Sequence, residues 1–146
     1  MQKVSVKKLH PQAQLPTYGS QYAAGADLYA CLDEPVTIAP GQTVLVPTGI
    51  AVEIPVGYVG LIYARSGLAC KQGLAPANKV GVIDADYRGQ ILVALFNQSP
   101  EDRIVEPGMR IAQMVITPYL TVEYQQTEQL SDTCRGAGGF GSTGTK

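Results

Sequence analysis

The chain has little of what several common catalytic and metal sites require. Its 146 residues include three cysteines and one histidine. Cys31, Cys70 and Cys134 are odd in number and have no CxxC spacing, which predicts free thiols in a reducing compartment. With His10 as the single histidine, zinc binding and a Ser-His or Cys-His nucleophilic mechanism are both disfavoured.

Charge of one sign and long apolar runs are scarce as well. Charged residues make up 16% of the chain and the formal net charge is −1. Because nonspecific nucleic-acid binding needs a basic surface, no nucleic-acid partner is predicted. No apolar run approaches the roughly 18 residues of a membrane span, and no apolar export signal is seen, so we expect no membrane partner and a cytoplasmic location.

What the chain does have is a strand-like alternation of apolar and polar residues, interrupted by many glycines and prolines. It contains 16 glycines, 10 prolines and 45% hydrophobic residues. The β-rich segments are residues 4–6, 28–32, 44–46, 50–54, 58–63, 90–96, 110–116 and 121–124. Only residues 66–72 are expected to form a helix. Many short strands separated by turns predict an all-β sandwich or barrel of antiparallel strands.

The final segment, residues 135–146, combines five glycines with one arginine, one phenylalanine and several hydroxyls. Its composition alone is typical of a solvated terminus. Phe140, however, has no role in a purely solubilising tail. Arginine and hydroxyl groups bind phosphate oxygens, so the alternative is a mobile arm that closes over a nucleotide. A P-loop is excluded, because Ser142 stands where the lysine must be and no helix follows.

A second polar group interrupts two apolar runs after Ile83. Asp84 follows directly on apolar residues, where partial desolvation would make its carboxylate a better base. Asp86 and Arg88 are expected to pair at a hairpin corner. For Asp84, a turn role and a general-base role both remain open.

Five further polar residues lie in or beside predicted strands. Ser66 is expected to cap the short helix, and Arg65 would reinforce an anion site at its exposed N–H groups. A capping serine beside a solvated arginine is also a common structural feature. Asp27 and Gln113 are polar residues within apolar strand segments and therefore need partners. Asn78 is typical of a turn.

Together these segments resemble, in content and order, the five motifs of the trimeric dUTPase family (deoxyuridine triphosphate nucleotidohydrolases). They stand here as residues 24–30 (AGADLYA), 65–68 (RSGL), 81–89 (GVIDADYRG), 110–114 (RIAQM) and 135–142 (RGAGGFGS). The resemblance covers essentially the whole chain, and the third and fifth motifs are highly specific. It implies hydrolysis of dUTP to dUMP and pyrophosphate, which lowers dUTP and supplies the precursor of thymidylate.

The resemblance also implies a fold and an assembly. The expected fold is all-β, a distorted jelly-roll-like β-barrel with one short helix and a flexible glycine-rich C-terminal arm. Residues 1–134 would form the barrel domain, and residues 135–146 would close over a neighbouring active site. The partners would be dUTP and two further copies of the chain, in a homotrimer with active sites between subunits.

Single-residue roles follow from the same resemblance. Asp84 would hold and polarise the water that attacks the α-phosphorus. Residues implied to contact the base or sugar are Asn78, Val82, Ile83, Tyr87, Leu92 and, from the arm, Phe140 with Gly141. Residues implied to contact phosphates are Arg65, Ser66, Gly67, Gln113, Arg135, Ser142 and Thr143. Mg²⁺ would be chelated mainly by the phosphates and water, with Asp27 at most an outer-shell partner.

Two other functions remain as alternatives. A dCTP deaminase shares the fold and some motifs, but it would act on the base and is expected to lack the Phe-Gly-Ser arm. A noncatalytic β-sandwich module would use the tail only as a linker.

Overall fold

The structure is a computed structural model that describes residues 3–140. Its regular elements within that range are one helix and twelve short strands. The strands are β1 Ser5–Lys8, β2 Thr17–Tyr18, β3 Ala26–Tyr29, β4 Val36–Ile38, β5 Thr43–Pro47, β6 Ile50–Glu53, β7 Tyr58–Tyr63, β8 Leu74–Pro76, β9 Gly81–Ile83, β10 Leu92–Asn97, β11 Arg103–Val105 and β12 Arg110–Pro118. The helix, α1, spans Ser66–Gln72.

The strands pair antiparallel in four sheets. The largest sheet has the order β2-β3-β12-β7-β9, and a three-stranded sheet has the order β5-β10-β8. Two-stranded sheets pair β1 with β6 and β11 with β4. The prediction of a mostly-β fold with one short helix is therefore confirmed. Within residues 3–140 the strand pairing does not close into a barrel.

One apolar cluster takes side chains from all four sheets. Leu28 comes from β3, Ile38 from β4, Ile50 from β6 and Leu95 from β10, and each is at most 1% exposed. Burial of one such side chain contributes about 1.5–3 kcal/mol, so the alternating inward residues of short strands hold the sheets together. On β10, residues 93, 95 and 97 point inward by the same alternation.

The inward residue at the end of β10 is polar and fully buried. Asn97 Nδ2 donates to the carbonyls of Ile38, at 2.8 Å, and Glu101, at 2.7 Å. Its Oδ1 accepts from the Ser99 N–H at 2.9 Å. The amide is thereby satisfied on both sides, and it ties β10 to β4.

The register of the largest sheet brings three distant parts of the sequence together. Gln113 on β12 lies opposite Asp27 on β3 and opposite Tyr63 on β7. Because β7 ends at Tyr63, the chain reaches Arg65 and the start of α1 beside this pair. The sheet order thus determines which polar side chains meet.

Helix α1 has the predicted bounds but not the predicted cap. Arg65, in an extended conformation, occupies the N-cap position, and no side chain makes a capping hydrogen bond. The prediction that Ser66 caps the helix was therefore wrong, because Ser66 is already the first helical residue. The helix ends at Gly73, whose φ of 69° is left-handed and whose N–H donates to the Ala69 carbonyl.

The predicted strand at residues 121–124 was wrong as well. Residues 119–140, which we call the C-terminal segment, contain no strand. Four of its apolar side chains are 58–94% exposed, namely Leu120, Val122, Tyr124 and Leu130. Residues 121–124 alternate as a strand would, but among residues 3–140 no strand pairs with them.

Candidate active site

A buried carboxylate between two arginines lies at the centre of the largest sheet. Asp27 on β3 is 8% exposed. Its Oδ1 accepts from Arg65 Nε at 2.8 Å, and its Oδ2 accepts from Arg110 Nη1 at 3.3 Å. This explains how a charge is accommodated inside an apolar strand, since buried charges need partners. The three side chains together carry a net charge of one positive unit.

Gln113 contributes an amide to the same place. Its Nε2 donates to the Ala64 carbonyl at 2.9 Å, so it fixes the backbone immediately before Arg65. The side chain fills the space in which Gly25 would carry a Cβ; that atom would lie 3.1 Å from Gln113 Cδ. The prediction that Gln113 needs a partner is confirmed, and glycine at position 25 is what leaves room for it.

These side chains border an open cavity of about 290 Å³. Its lining includes Asp27, Arg65, Ser66, Gly67, Arg110 and Gln113. The hydrogen bonds among the described residues use only the Nε of Arg65, which leaves its terminal Nη groups for a ligand. Cationic groups, a hydroxyl and an exposed glycine backbone make this cavity chemically suited to phosphate oxygens. We call these six residues the phosphate half-site.

Asp84 lies elsewhere, in the loop that connects β9 to β10, two strands of different sheets. It follows β9 directly, and its carbonyl accepts from the Tyr87 N–H at 3.1 Å. Tyr87 folds back over Gly89, and its hydroxyl donates to the Gln90 carbonyl at 2.9 Å. The Asp84 side chain is exposed within this chain, so the desolvation expected from its position after Ile83 is absent here.

The predicted ion pair between Asp86 and Arg88 was wrong. Arg88 Nη2 lies 3.4 Å from Glu53 on β6, and its Nη1 donates to the Ala85 carbonyl at 2.7 Å. Arg88 therefore bonds to the backbone of its own turn and links that turn to β6. Asp84 and Asp86 both line an open cavity of about 490 Å³.

The residues predicted to contact the base flank this loop in the sequence. Val82 and Leu92 are 60% and 44% exposed, unusual for aliphatic side chains on strands. Ile83 instead packs on the core, which leaves its backbone for contact with a ligand. Asn78 is exposed in the turn before β9. We call residues 78, 82–84, 87 and 92 the loop half-site.

The two half-sites are separate in a single chain. The cavity that contains Arg65 and the cavity that contains Asp84 share no lining residue. The structure thus brings Asp27, Arg65, Ser66, Gly67 and Gln113 together, but it does not bring them to Asp84.

The predicted arm residues fall partly within the described range. Arg135 Nε donates to the Gly138 carbonyl at 2.9 Å, and the Phe140 side chain is fully exposed. Neither lies in either half-site cavity. Gly141, Ser142 and Thr143 lie outside the described residues.

Arg110 is a member of the phosphate half-site that the sequence reasoning quoted in a motif without giving it a role. The sequence offers one indication of this pairing. Asp27 needs a partner, and Arg110 begins an apolar, strand-like segment similar to the one that contains Asp27. The two residues are 83 positions apart in the sequence, so no local pattern indicates the pairing.

Cys31, Cys70 and Cys134 are free. Burial, together with the charge of Asp33, raises the pKa of the Cys31 thiol, which lowers its thiolate fraction near neutral pH. Among residues 3–140, no three His, Cys, Asp or Glu side chains cluster to hold a metal, and no helix could cross a membrane.

Comparison with known proteins places these features in one group of enzymes. The sequence profile of the dUTPase family matches residues 11–144. A deoxyuridine 5'-triphosphate nucleotidohydrolase of Desulfitobacterium hafniense is 53% identical over 143 residues, covering 97% of this chain and 95% of that protein.

Solved structures of phage enzymes share the fold. The dUTPase of Staphylococcus bacteriophage 80alpha with dUPNHPP superposes with a TM-score of 0.90 at 31% identity, covering 99% of both chains. A mutant dUTPase of phage phi11 of S. aureus, described as coordinating a structural Mg(II) ion, gives a TM-score of 0.79 at 28% identity, covering 88% of this chain and 98% of that one.

Proposed function

Because the chain belongs to the dUTPase family, whose reaction is the hydrolysis of dUTP to dUMP, we propose that Asp84 activates the attacking water. The Asp84 carboxylate accepts a proton from the water, and the oxygen of that water bonds to the α-phosphorus. The bond from that phosphorus to the α–β bridging oxygen breaks, and pyrophosphate leaves. Phosphoryl transfer of this kind depends on positioning and charge neutralisation, which suits a site without a nucleophile-base pair.

The observation that carries the proposal is the separation of the two half-sites. Because the cavities that contain Arg65 and Asp84 share no lining residue, we infer that a water held by Asp84 reaches a phosphate held by Arg65 of a different copy of the chain. We therefore propose a homotrimer whose active sites lie between subunits. The exposed apolar side chains of the C-terminal segment support assembly, since a second copy would cover them.

The phosphate half-site would hold the triphosphate. Arg65 presents its Nη groups, Ser66 its hydroxyl near the α–β bridging oxygen, and Gly67 its backbone N–H. Gln113 would contribute from a strand of another subunit than the one supplying Asp84. Hydrogen bonds to charged phosphate are worth about 1.5–3 kcal/mol each.

The loop half-site would bind the base and the sugar. Asn78 and the backbone of residues 82–84 would pair with the uracil edge, while Val82 and Leu92 border it. Tyr87, fixed over Gly89, would pack on the deoxyribose and leave no room for a 2′-hydroxyl. Cytosine has an amino donor where uracil has a carbonyl, so a hydrogen-bonding pocket rejects it strongly.

We further propose that residues 135–146 form a mobile arm, apart from the domain of residues 1–134, which closes over a neighbouring site. Phe140 with Gly141 would cover the uracil, and Arg135, Ser142 and Thr143 would bind the γ-phosphate. A dUTP analogue that resists hydrolysis should therefore protect the arm from limited proteolysis. Equal cleavage with and without the analogue would contradict closure.

A divalent metal fits the donor set only as a companion of the substrate. Since the described residues offer no carboxylate cage, Mg²⁺ would be bound mainly by phosphate oxygens and water, as is usual for this ion. Bound there, it would neutralise phosphate charge. Both oxygens of Asp27 already accept from arginines, so Asp27 would reach such a metal only through water.

The decisive experiment measures pyrophosphate release from each dNTP by the wild type and by Asp84→Asn. The wild type should act on dUTP, and Asp84→Asn should lower kcat by about 10²–10⁴-fold, as for loss of a general base. Asp86→Asn is the matched control, because Asp86 lines the same cavity two residues away, and it should retain most activity. Equal losses in both variants, or comparable rates with dCTP, would refute the assignment.

A further inference from the structure

The Asp27 carboxylate is shared in an unequal way between its two arginines. Arg65 donates through Nε at 2.8 Å, whereas Arg110 donates through Nη1 at 3.3 Å. The Arg65 side chain is 27% exposed and that of Arg110 is 51% exposed. The buried carboxylate therefore fixes Nε of Arg65 through Oδ1 and is itself held by Arg110 through Oδ2.

Binding through Nε has a geometric consequence for Arg65. The guanidinium is planar, with its donors in a fixed fork. Once Nε is bonded to Asp27 Oδ1, the guanidinium plane cannot rotate freely, and within the described residues no hydrogen bond engages either Nη group. Gln113 fixes the backbone at Ala64, immediately before Arg65.

We propose that Arg110 is a positioning residue that acts through Asp27: by holding Oδ2, it orients Oδ1 toward Arg65 and so aims the Arg65 Nη groups at the triphosphate. This inference rests on the proposed phosphate role of Arg65. It assigns Arg110 no contact with the reacting atoms.

Charge balance supports the same role. Without Arg110, Arg65 and Asp27 would form a neutral pair, and Asp27 would lose one of its two partners. A carboxylate with a free oxygen can rotate and draw the guanidinium into a two-pronged pair, which would engage an Nη group that the ligand needs. Arg110 prevents this arrangement by occupying the second oxygen.

The test is a double-mutant cycle read by affinity for a nonhydrolysable dUTP analogue, with dUMP affinity and thermal unfolding measured alongside. Arg110→Gln should weaken binding of the analogue about tenfold, the effect of one charge-assisted hydrogen bond, and leave dUMP affinity almost unchanged, while thermal unfolding reports the lost partner of the buried carboxylate separately. In an Asp27→Asn background the same change should cost less than about twofold, because the route through the carboxylate is already lost. Arg110→Lys, which keeps a cationic donor, should recover part of the loss.

Lys71→Gln provides the matched control. Lys71 borders the outer side of the same two arginines but makes no contact with Asp27 among the described residues, so it should change affinity less than about twofold. A tenfold loss of affinity for the analogue in Lys71→Gln would show that any nearby positive charge supports binding, and it would overturn the inference. A full tenfold loss from Arg110→Gln in the Asp27→Asn background would do the same, since Arg110 would then act directly on the ligand.

Two further arms keep the outcomes distinct. An Arg65→Gln background gives a second cycle without altering the buried carboxylate, and Arg110→Gln should again add little. Wild-type turnover of dUTP tests the proposed function by itself. Turnover without coupling between Arg110 and Asp27 would overturn only the positioning role of Arg110.

Discussion

Mixing two impaired variants in one assembly tests whether the active site is composite. Asp84→Asn removes the carboxylate of the loop half-site, and Arg65→Gln removes a guanidinium of the phosphate half-site. Each change alone should lower the activity of every site of a uniform assembly. The cavities that contain these residues have no lining residue in common, so neither change disturbs the other half-site.

The magnitude follows from how the half-sites combine. In a cyclic trimer that contains both variants, one of every three neighbouring pairs, about a third, joins an intact phosphate half-site to an intact loop half-site. After purification on both tags, activity should therefore rise to about a third of the wild-type value. Arg65→Gln alone should retain at most about a tenth, since it loses one or more charge-assisted hydrogen bonds, so the gain is measurable.

The assay is pyrophosphate release from dUTP by coexpressed chains carrying different affinity tags and purified on both. The control pairs Asp84→Asn with a chain that carries both substitutions, because no site in that mixture has the carboxylate. A mixture of the two single variants that stays at the level of its components would refute the composite site and the separation on which it depends.

Three other changes test features of the fold and the site. Gly25→Ala places a methyl group in the space of the Gln113 side chain and should raise the KM for dUTP by about 3–10-fold; an unchanged KM would show that the space is not needed. Asn97→Ala leaves the carbonyls of Ile38 and Glu101 unsatisfied and should lower the free energy of unfolding by about 2–4 kcal/mol in a denaturant titration. A loss below about 1 kcal/mol would contradict the stabilising role of the Asn97 amide. Because its pKa is raised, Cys31 has a small thiolate fraction near neutral pH and is half-buried, so it should be alkylated more slowly than the exposed Cys70 and gain rate as the pH rises; equal rates by mass spectrometry would contradict this.

Local pattern predicted those elements whose signals are local. Helix α1 was predicted with its bounds, because residues 66–72 lack alternation and end at a glycine that can adopt a left-handed conformation. The long strands β7, β10 and β12 were also found. Strands of two or three residues, such as β4 and β11, were missed because they are too short to show a period of two.

Partners across the chain were harder to predict than the need for them. The sequence indicated that Asp27 and Gln113 required partners, and the structure supplies them. It did not indicate that Asp27 would meet both Arg65 and Arg110, since those pairings depend on the order of strands in the largest sheet. Arg88 shows the same difficulty, because the nearby Asp86 was chosen where the actual partner, Glu53, lies on another strand.

The roles of individual residues came from the resemblance to a family more than from physical pattern. Asp84 after an apolar run left two interpretations open, and in the single chain its carboxylate is exposed. Its catalytic environment would be created only by assembly, which neither alternation nor burial within one chain can report.

The bare apolar side chains of the C-terminal segment have a consequence for biogenesis. A newly synthesised chain would carry Leu120, Tyr124 and Leu130 uncovered until it meets other copies, so its solubility would depend on a bimolecular step. At low expression this encounter is slow, and the sticky intermediate is exposed to chaperones and aggregation for longer. Recovery of native enzyme after dilution from denaturant should then improve with rising chain concentration, up to the point where nonspecific association overtakes it.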